Sequence, residues 1–271
     1  MNTDITLGNG NKMPAVGLGT YRIEDNDEAA RAVANALQQG YHHIDTAAIY
    51  GNEEGVGRGI RESGVGRDQV FLTTKIWNDD LRANRVEAAF EESLARLGTD
   101  YVDLLLVHWP TGDYKTYWKS FENLYRQGRA RNIGVSNFTM RMLDELLPAA
   151  EVKPQVNQVE RHPYLVQKQL LKYCDKKEIA LTAWSGFMVG ELLKEPAILK
   201  LAEKYGKTAA QIIQRWNYQN SVITIPKSVH PERMRENIDI FDFSLDFEDL
   251  KFIDTLDRNQ RRGPNPENFD F

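Results

Sequence analysis

Four residues on three successive stretches of this sequence have the side chains needed for acid–base chemistry. Asp45 and Tyr50 lie in HIDTAAIYGNE, Lys75 in TTKIW, and His108 ends VDLLLVH. Singly, each has an ordinary explanation: Asp45 a turn cap, Tyr50 a half-buried loop aromatic, His108 a satisfied core histidine. Lys75 is harder to explain that way, because a lysine between apolar neighbours is costly unless a carboxylate sits near it. Gathered at one place, a phenol, an ammonium, a carboxylate and an imidazole suit the delivery of a proton to a carbonyl oxygen. A free tyrosine titrates near about 10, too high for ready donation at neutrality, and a nearby ammonium favours the phenolate. Lys75 is therefore expected to lower Tyr50, Asp45 to keep Lys75 charged and oriented, and His108 to polarise the carbonyl through a hydrogen bond.

Other chemistries find little support. The five histidines and single cysteine show no zinc-ligand spacing, so no metal is expected, and there is no G-x-S-x-G elbow for a hydrolytic serine. With proton delivery but neither metal nor nucleophile, the missing part is a hydride source.

These residues need elements to hold them. Eight short apolar runs recur along the chain: VGLGT, HHIDT, VFLTTKI, VDLLLVH, NIGVSN, VNQVE, ALTAWS and VITIPKS. Strands that read apolar throughout, each followed by an amphipathic helix, call for a parallel sheet covered by helices. Among those helices, Val86, Ala89, Phe90, Ser93, Leu94 and Leu97 share one face before Gly98 closes the helix as a left-handed cap. Asp27 is expected to cap the first helix and Gly40 to stop it, and Thr208 with Gln211 forms a capping box. The same alternation builds open doubly wound sheets, but eight units in this length favour a closed (β/α)8 barrel. Residues around LGNGN predict a small N-terminal hairpin. Two extra helices are expected, near 198–205 and 247–256, and the tail NQRRGPNPENFDF reads as a loop. In a barrel, Asp45, Lys75 and His108 end successive strands and line one rim.

Composition sets outer limits. A chain of 271 residues with 41% hydrophobic and 27% charged residues is expected to form one domain, 1–271. A net charge of -5 argues against a nucleic-acid partner. Cys174 has no cysteine to pair with, and neither a signal core at MNTDITLGNG nor a run of about 18 apolar residues appears. A cytoplasmic monomer without membrane contact is the expectation.

The segments GLGTY, HIDTAAIYGNE, TTKIW, VDLLLVHWP, IGVSNF, VNQVERHPYL and IPKSVHPERMRENI, in that order, resemble the signature segments of the aldo-keto reductases. The resemblance runs from about residue 4 to 258. GNEEGVG and Trp184, where many relatives have tyrosine, make it most similar to the microbial 2,5-diketo-D-gluconate reductase branch. It implies that Tyr50 is the proton donor and that Asp45, Lys75 and His108 complete a tetrad. It also implies that Ser136, Asn137 and Gln158 hold a nicotinamide carboxamide, that Trp184 stacks on the ring, and that Ser185 begins the loop over the pyrophosphate. Lys227, Ser228 and Arg233 would then grip a 2′-phosphate, with Glu236 and Asn237 near the adenine. Tyr21, Ile49, Trp77 and Trp109 would wall the substrate pocket.

The expected cofactor is NADPH (NADP+), and the expected substrates are aldehydes and ketones, including keto-sugars, aromatic aldehydes and α-dicarbonyls such as methylglyoxal. The position of Lys227 and Arg233, after the eighth run and at a helix start, favours the phosphate independently. One departure stands out: SGFMVG replaces the family's usual S-P-L-G. The residues also admit two other classes, a cofactor-binding sensor and a barrel aldolase working through a Lys75 Schiff base.

Overall fold

The computed structural model describes residues 3–269 and 271. Strands β1 (Asp4–Thr6) and β2 (Lys12–Pro14) pair antiparallel as the expected hairpin. Eight parallel strands follow in chain order around one sheet. They are β3 (Leu18–Gly19), β4 (His43–Asp45), β5 (Phe71–Ile76), β6 (Leu104–Val107), β7 (Ile133–Ser136), β8 (Val156–Glu160), β9 (Ala180–Trp184) and β10 (Val222–Thr224).

The first and last of these strands meet. Val16 bridges Thr224 and Gly19 bridges Lys227, and Gly17 N donates to the Thr224 carbonyl at 2.8 Å. The sheet is therefore a closed (β/α)8 barrel, and the open-sheet alternative is excluded. Met13 of β2 and Leu7, just after β1, pack with inward-facing Phe71, Leu104, Leu106, Val156 and Ile223. The hairpin thus plugs the end of the barrel away from the strand C-termini. Outward-facing residues such as Leu105, Val107, Ile133 and Val135 join the helices in the larger core. Burial on both faces is why these strands read as continuous apolar runs.

The helices follow the sequence signals with one correction. The first helix, Asn26–Gln38, is capped by Asp25, whose side chain accepts from Glu28 N, and not by Asp27. Asp27 lies in its first turn and pairs with Arg58 instead. Gly98 is left-handed at the end of Val86–Leu97, and both halves of the Thr208–Gln211 capping box are formed. The two extra helices are Pro196–Tyr205 and Phe247–Asp254. A short helix at Asn78–Arg82, after β5, had no clear sequence signal.

Helix Glu53–Glu62 fixes the loop that carries Tyr50, and glycine sets its position. A Cβ on Gly55 or Gly59 would collide with the main chain of the first helix at Asn26 or Ala30, and one on Gly57 with the Leu97 carbonyl. The helix is thereby wedged between two neighbours at backbone contact distance. Asn52, just before it, donates from its side-chain nitrogen to the carbonyls of Thr20 (2.9 Å) and Ile23 (2.8 Å) and accepts from Thr46 Oγ1 at 2.9 Å. These bonds tie the Tyr50 loop to the ends of β3 and β4. Gly57→Ala is predicted to destabilise the protein by about 1–3 kcal/mol through overpacking, read by urea denaturation. An unchanged midpoint would show that the helix can move aside.

Candidate active site

Asp45 ends β4 and Lys75 lies in β5; both are buried, at 2% and 0% exposure. Lys75 Nζ donates to Asp45 Oδ1 at 2.5 Å and to the Thr46 carbonyl at 2.8 Å. The other carboxylate oxygen, Oδ2, accepts from Gln158 Nε2 at 2.7 Å, a contact from across the barrel. Two charges in the interior are tolerable only when paired and hydrogen-bonded in this way.

Tyr50 closes a short 3-10 turn, Ala48–Tyr50, above this pair. The Lys75 ammonium lies 5.1 Å from the centre of its ring. The His108 ring meets Tyr50 edge-on, with centroids 5.6 Å apart, and Trp77 meets His108 in the same way at 5.0 Å. The carboxylate, ammonium, phenol and imidazole thus converge on one rim.

Electrostatics correct one expectation. Burial raises the Tyr50 phenol well above its ordinary value, and Asp45 and Tyr21 push it the same way. The Lys75 ammonium, over the ring at 5.1 Å from its centre, does not reverse this. Burial also pulls the Lys75 ammonium down, opposed by Asp45. It holds His108 well below the usual imidazole range, with Lys75 adding to the effect, so His108 is neutral at pH 7. Among the described residues, the buried Nδ1 of His108 has no hydrogen-bond partner. A bare lone pair there is cheaper than an unbonded N–H, so the proton belongs on Nε2.

The next strands add a polar shelf. Asn137, left-handed at φ 66°, donates to the His108 carbonyl at 3.0 Å and to Ser136 Oγ at 3.2 Å. Its side-chain oxygen accepts from the Trp184 indole N–H at 2.9 Å. Ser136 Oγ donates to the Gln158 carbonyl at 2.7 Å. Ser136, Asn137, Gln158 and Trp184 are therefore one connected group beside His108. Ser185 begins a loop in which Ser185, Met188 and Val189 all have positive φ. That backbone is unusual for a β-branched valine, and it falls in the SGFMVG departure.

After β10, Lys227 and Arg233 are exposed, and among the described residues neither forms an ion pair. Ser228 is buried; its Oγ accepts from His230 N at 3.1 Å. Helix Pro231–Ile238 has no side-chain cap at His230, so its first N–H groups remain open to an anion. Glu236 accepts from Thr208 Oγ1 at 2.7 Å, and Asn237 is buried.

The aromatic wall is formed, with additions that the sequence did not disclose. Tyr21 lies 5.1 Å from Tyr50, and Ile49 is exposed beside it. From the tail, Phe271 stacks on Trp77 at 5.9 Å and meets Trp109 edge-on at 5.1 Å, while Phe269 packs on Trp109 at 5.1 Å. Asn78 Nδ2 (3.1 Å) and Arg82 (2.5 Å) donate to the Phe271 main-chain oxygen. The paired aromatics of NFDF were the available signal, but nothing local says where they dock.

The chain matches the aldo/keto reductase family over residues 15–258. It belongs to that family. It is 52% identical to the glyoxal reductase of Bacillus subtilis, across 97% of this chain and 96% of that protein. It is 42% identical to a methylglyoxal reductase of Escherichia coli O157:H7, across 98% of each. The aldo-keto reductase of Bombyx mori, solved in complex with NADP, superposes with a TM-score of 0.91 at 37% identity, covering 96% of this chain and 94% of that one. The family places the chain among oxidoreductases acting on carbonyl groups. Among the described residues, no group of acidic, histidine or cysteine side chains could hold a metal, and no helix is long and apolar enough to cross a membrane.

The buried pair makes a direct prediction. Lys75→Met strands the Asp45 carboxylate and is expected to cost about 3–5 kcal/mol of stability. Adding Asp45→Asn should recover most of it. Denaturation of both variants checks this, and equal loss in the double variant would show that the pair does not act as a unit.

Proposed function

We propose that this chain is an NADPH-dependent reductase of aldehydes and ketones, with small α-dicarbonyls such as methylglyoxal among its substrates. The observation that carries the reading is the Asp45–Lys75 pair beneath Tyr50, with neutral His108 edge-on to the same phenol. The dicarbonyl class is suggested by the glyoxal and methylglyoxal reductases to which the chain is similar. Keto-sugars and aromatic aldehydes remain candidates on the same wall of aromatics.

In this reading the carbonyl oxygen sits between Tyr50 and His108. His108 Nε2–H polarises it, and Tyr50 gives up its phenolic proton as negative charge develops there. The ammonium of Lys75 offsets the charge left on Tyr50, and Asp45 and the Thr46 carbonyl keep that ammonium in place. The raised phenol keeps the acid form populated through the neutral range. NADPH, when bound, supplies the hydride.

The residues present fit that cofactor. Ser136, Asn137, Gln158 and Trp184 would hold the nicotinamide end, and Ser185 would begin the pyrophosphate loop. Lys227, Ser228 and Arg233 would take the 2′-phosphate at an uncapped helix start, with Glu236 and Asn237 near the adenine. Two exposed cations there favour NADPH over NADH. The Schiff-base reading fits less well, because Lys75 is fully buried and two of its protons are already engaged.

Loss of NADPH absorbance with methylglyoxal tests the reading; tight NADPH binding with no carbonyl reduced would favour a sensor. Tyr50→Phe is predicted to keep NADPH affinity and to lose about 10²-fold or more in kcat, since it removes the proton. Arg233→Ala is predicted to weaken NADPH binding by about 1.5–3 kcal/mol while leaving NADH nearly unchanged. Equal losses for both cofactors, measured by fluorescence titration, would remove the phosphate role.

A further inference from the structure

Glu160 has no part in the chemistry described above, yet it is 1% exposed and has four close partners. It ends β8 and pairs in register with Trp184, the last residue of β9. Oε1 accepts from Arg262 N at 2.5 Å and lies 3.1 Å from His162 Nε2. Oε2 accepts from Gly263 N at 3.1 Å, and Arg261 Nη1 stands 3.9 Å away. A buried carboxylate thus engages two consecutive main-chain N–H groups of the C-terminal tail.

The gripped segment touches the indole. Gly263 lies so close to Trp184 that a Cβ there would meet ring atoms Cη2 and Cζ3. The indole N–H is bonded to Asn137, and Asn137 is bonded to the His108 carbonyl. Contacts therefore run without a gap from Glu160 through the tail and Trp184 to the residue beside Tyr50.

We propose that Glu160 is a positioning residue: it clamps the tail at Arg262 and Gly263, and Gly263 seats the Trp184 indole in the orientation the reaction needs. The proposal rests on the reading of Trp184 as the aromatic that stacks on the nicotinamide. A carboxylate is required because both oxygens accept. A glutamine presents one acceptor where two N–H groups need one each, so one tail bond is lost. A glycine is required at 263 because the indole occupies the space of a side chain.

The test uses the full chain in two readouts. The first is the ¹⁵N-indole resonance of Trp184, assigned by its loss in Trp184→Phe. Both Glu160→Gln and Gly263→Ala should shift it without cofactor present, and an unmoved resonance in both overturns the clamp. The second is turnover of methylglyoxal with NADPH deuterated at the transferred hydrogen. Gly263→Ala should lower kcat about tenfold and raise the isotope effect, with NADPH affinity changed less than about threefold, as misplacement of the ring predicts. In a Trp184→Phe background the same substitution should change kcat less than about twofold, because the colliding ring edge is gone. Equal effects in both backgrounds would mean that the tail only stabilises the fold. If the parent chain reduces no carbonyl, the reductase reading fails, and the indole resonance still decides the clamp.

Discussion

The buried ion pair between Asp45 and Lys75 is the constraint on which the rest of the site depends. At 2.5 Å and with almost no exposure, neither charge is tolerable without the other. Each remaining bond of the pair reaches a different element: Thr46 beyond β4, and Gln158 across the barrel on β8. The pair therefore fixes the relative positions of three strand ends, and Tyr50 and His108 are placed against that fixed point. Burial dominates at Tyr50 and His108, where desolvation favours the neutral form of each, and the pair's charges act the same way: Asp45 raises the phenol and Lys75 lowers the imidazole.

Rigidity around this centre comes from close backbone packing and from the tail. The glycines of helix Glu53–Glu62 let it approach two neighbouring helices at main-chain distance, which holds the Tyr50 loop. On the opposite side, the tail is fastened by Glu160, by Glu267 to Arg141 at 2.6 Å and to Thr139 Oγ1 at 2.6 Å, and by Asn78 and Arg82 at Phe271. It brings Phe269 and Phe271 over Trp77 and Trp109, so a segment without regular secondary structure forms part of the wall.

Much of this was legible in the sequence, for physical reasons. Strands buried on both faces must be apolar throughout, so all eight barrel strands were readable, and Gly98 and the Thr208–Gln211 box marked helix ends by local chemistry. The first helix start was misread because EDNDE offers several capping residues, and only backbone angles select Asp25. Proximity of Lys75 to Tyr50 was legible, but the direction of the phenol's shift was not, since depth of burial is a tertiary property. The bond from Gln158 to Asp45 and the docking of Phe269 and Phe271 join residues far apart in sequence, and no periodicity announces them. The four rim residues were identifiable together because three of them end successive strands.

The most direct measurement is the pH dependence of single-turnover methylglyoxal reduction with NADPH already bound. His108 is neutral, burial raises the Tyr50 phenol, and the proposed reaction needs the phenol protonated. The rate should stay level from about pH 6 to 9 and fall only as the phenol ionises at more alkaline pH. A limb near about pH 6.5 would mean that His108 titrates in the working range, and a decline beginning near about pH 8 that Lys75 does depress Tyr50. Either result would contradict the account.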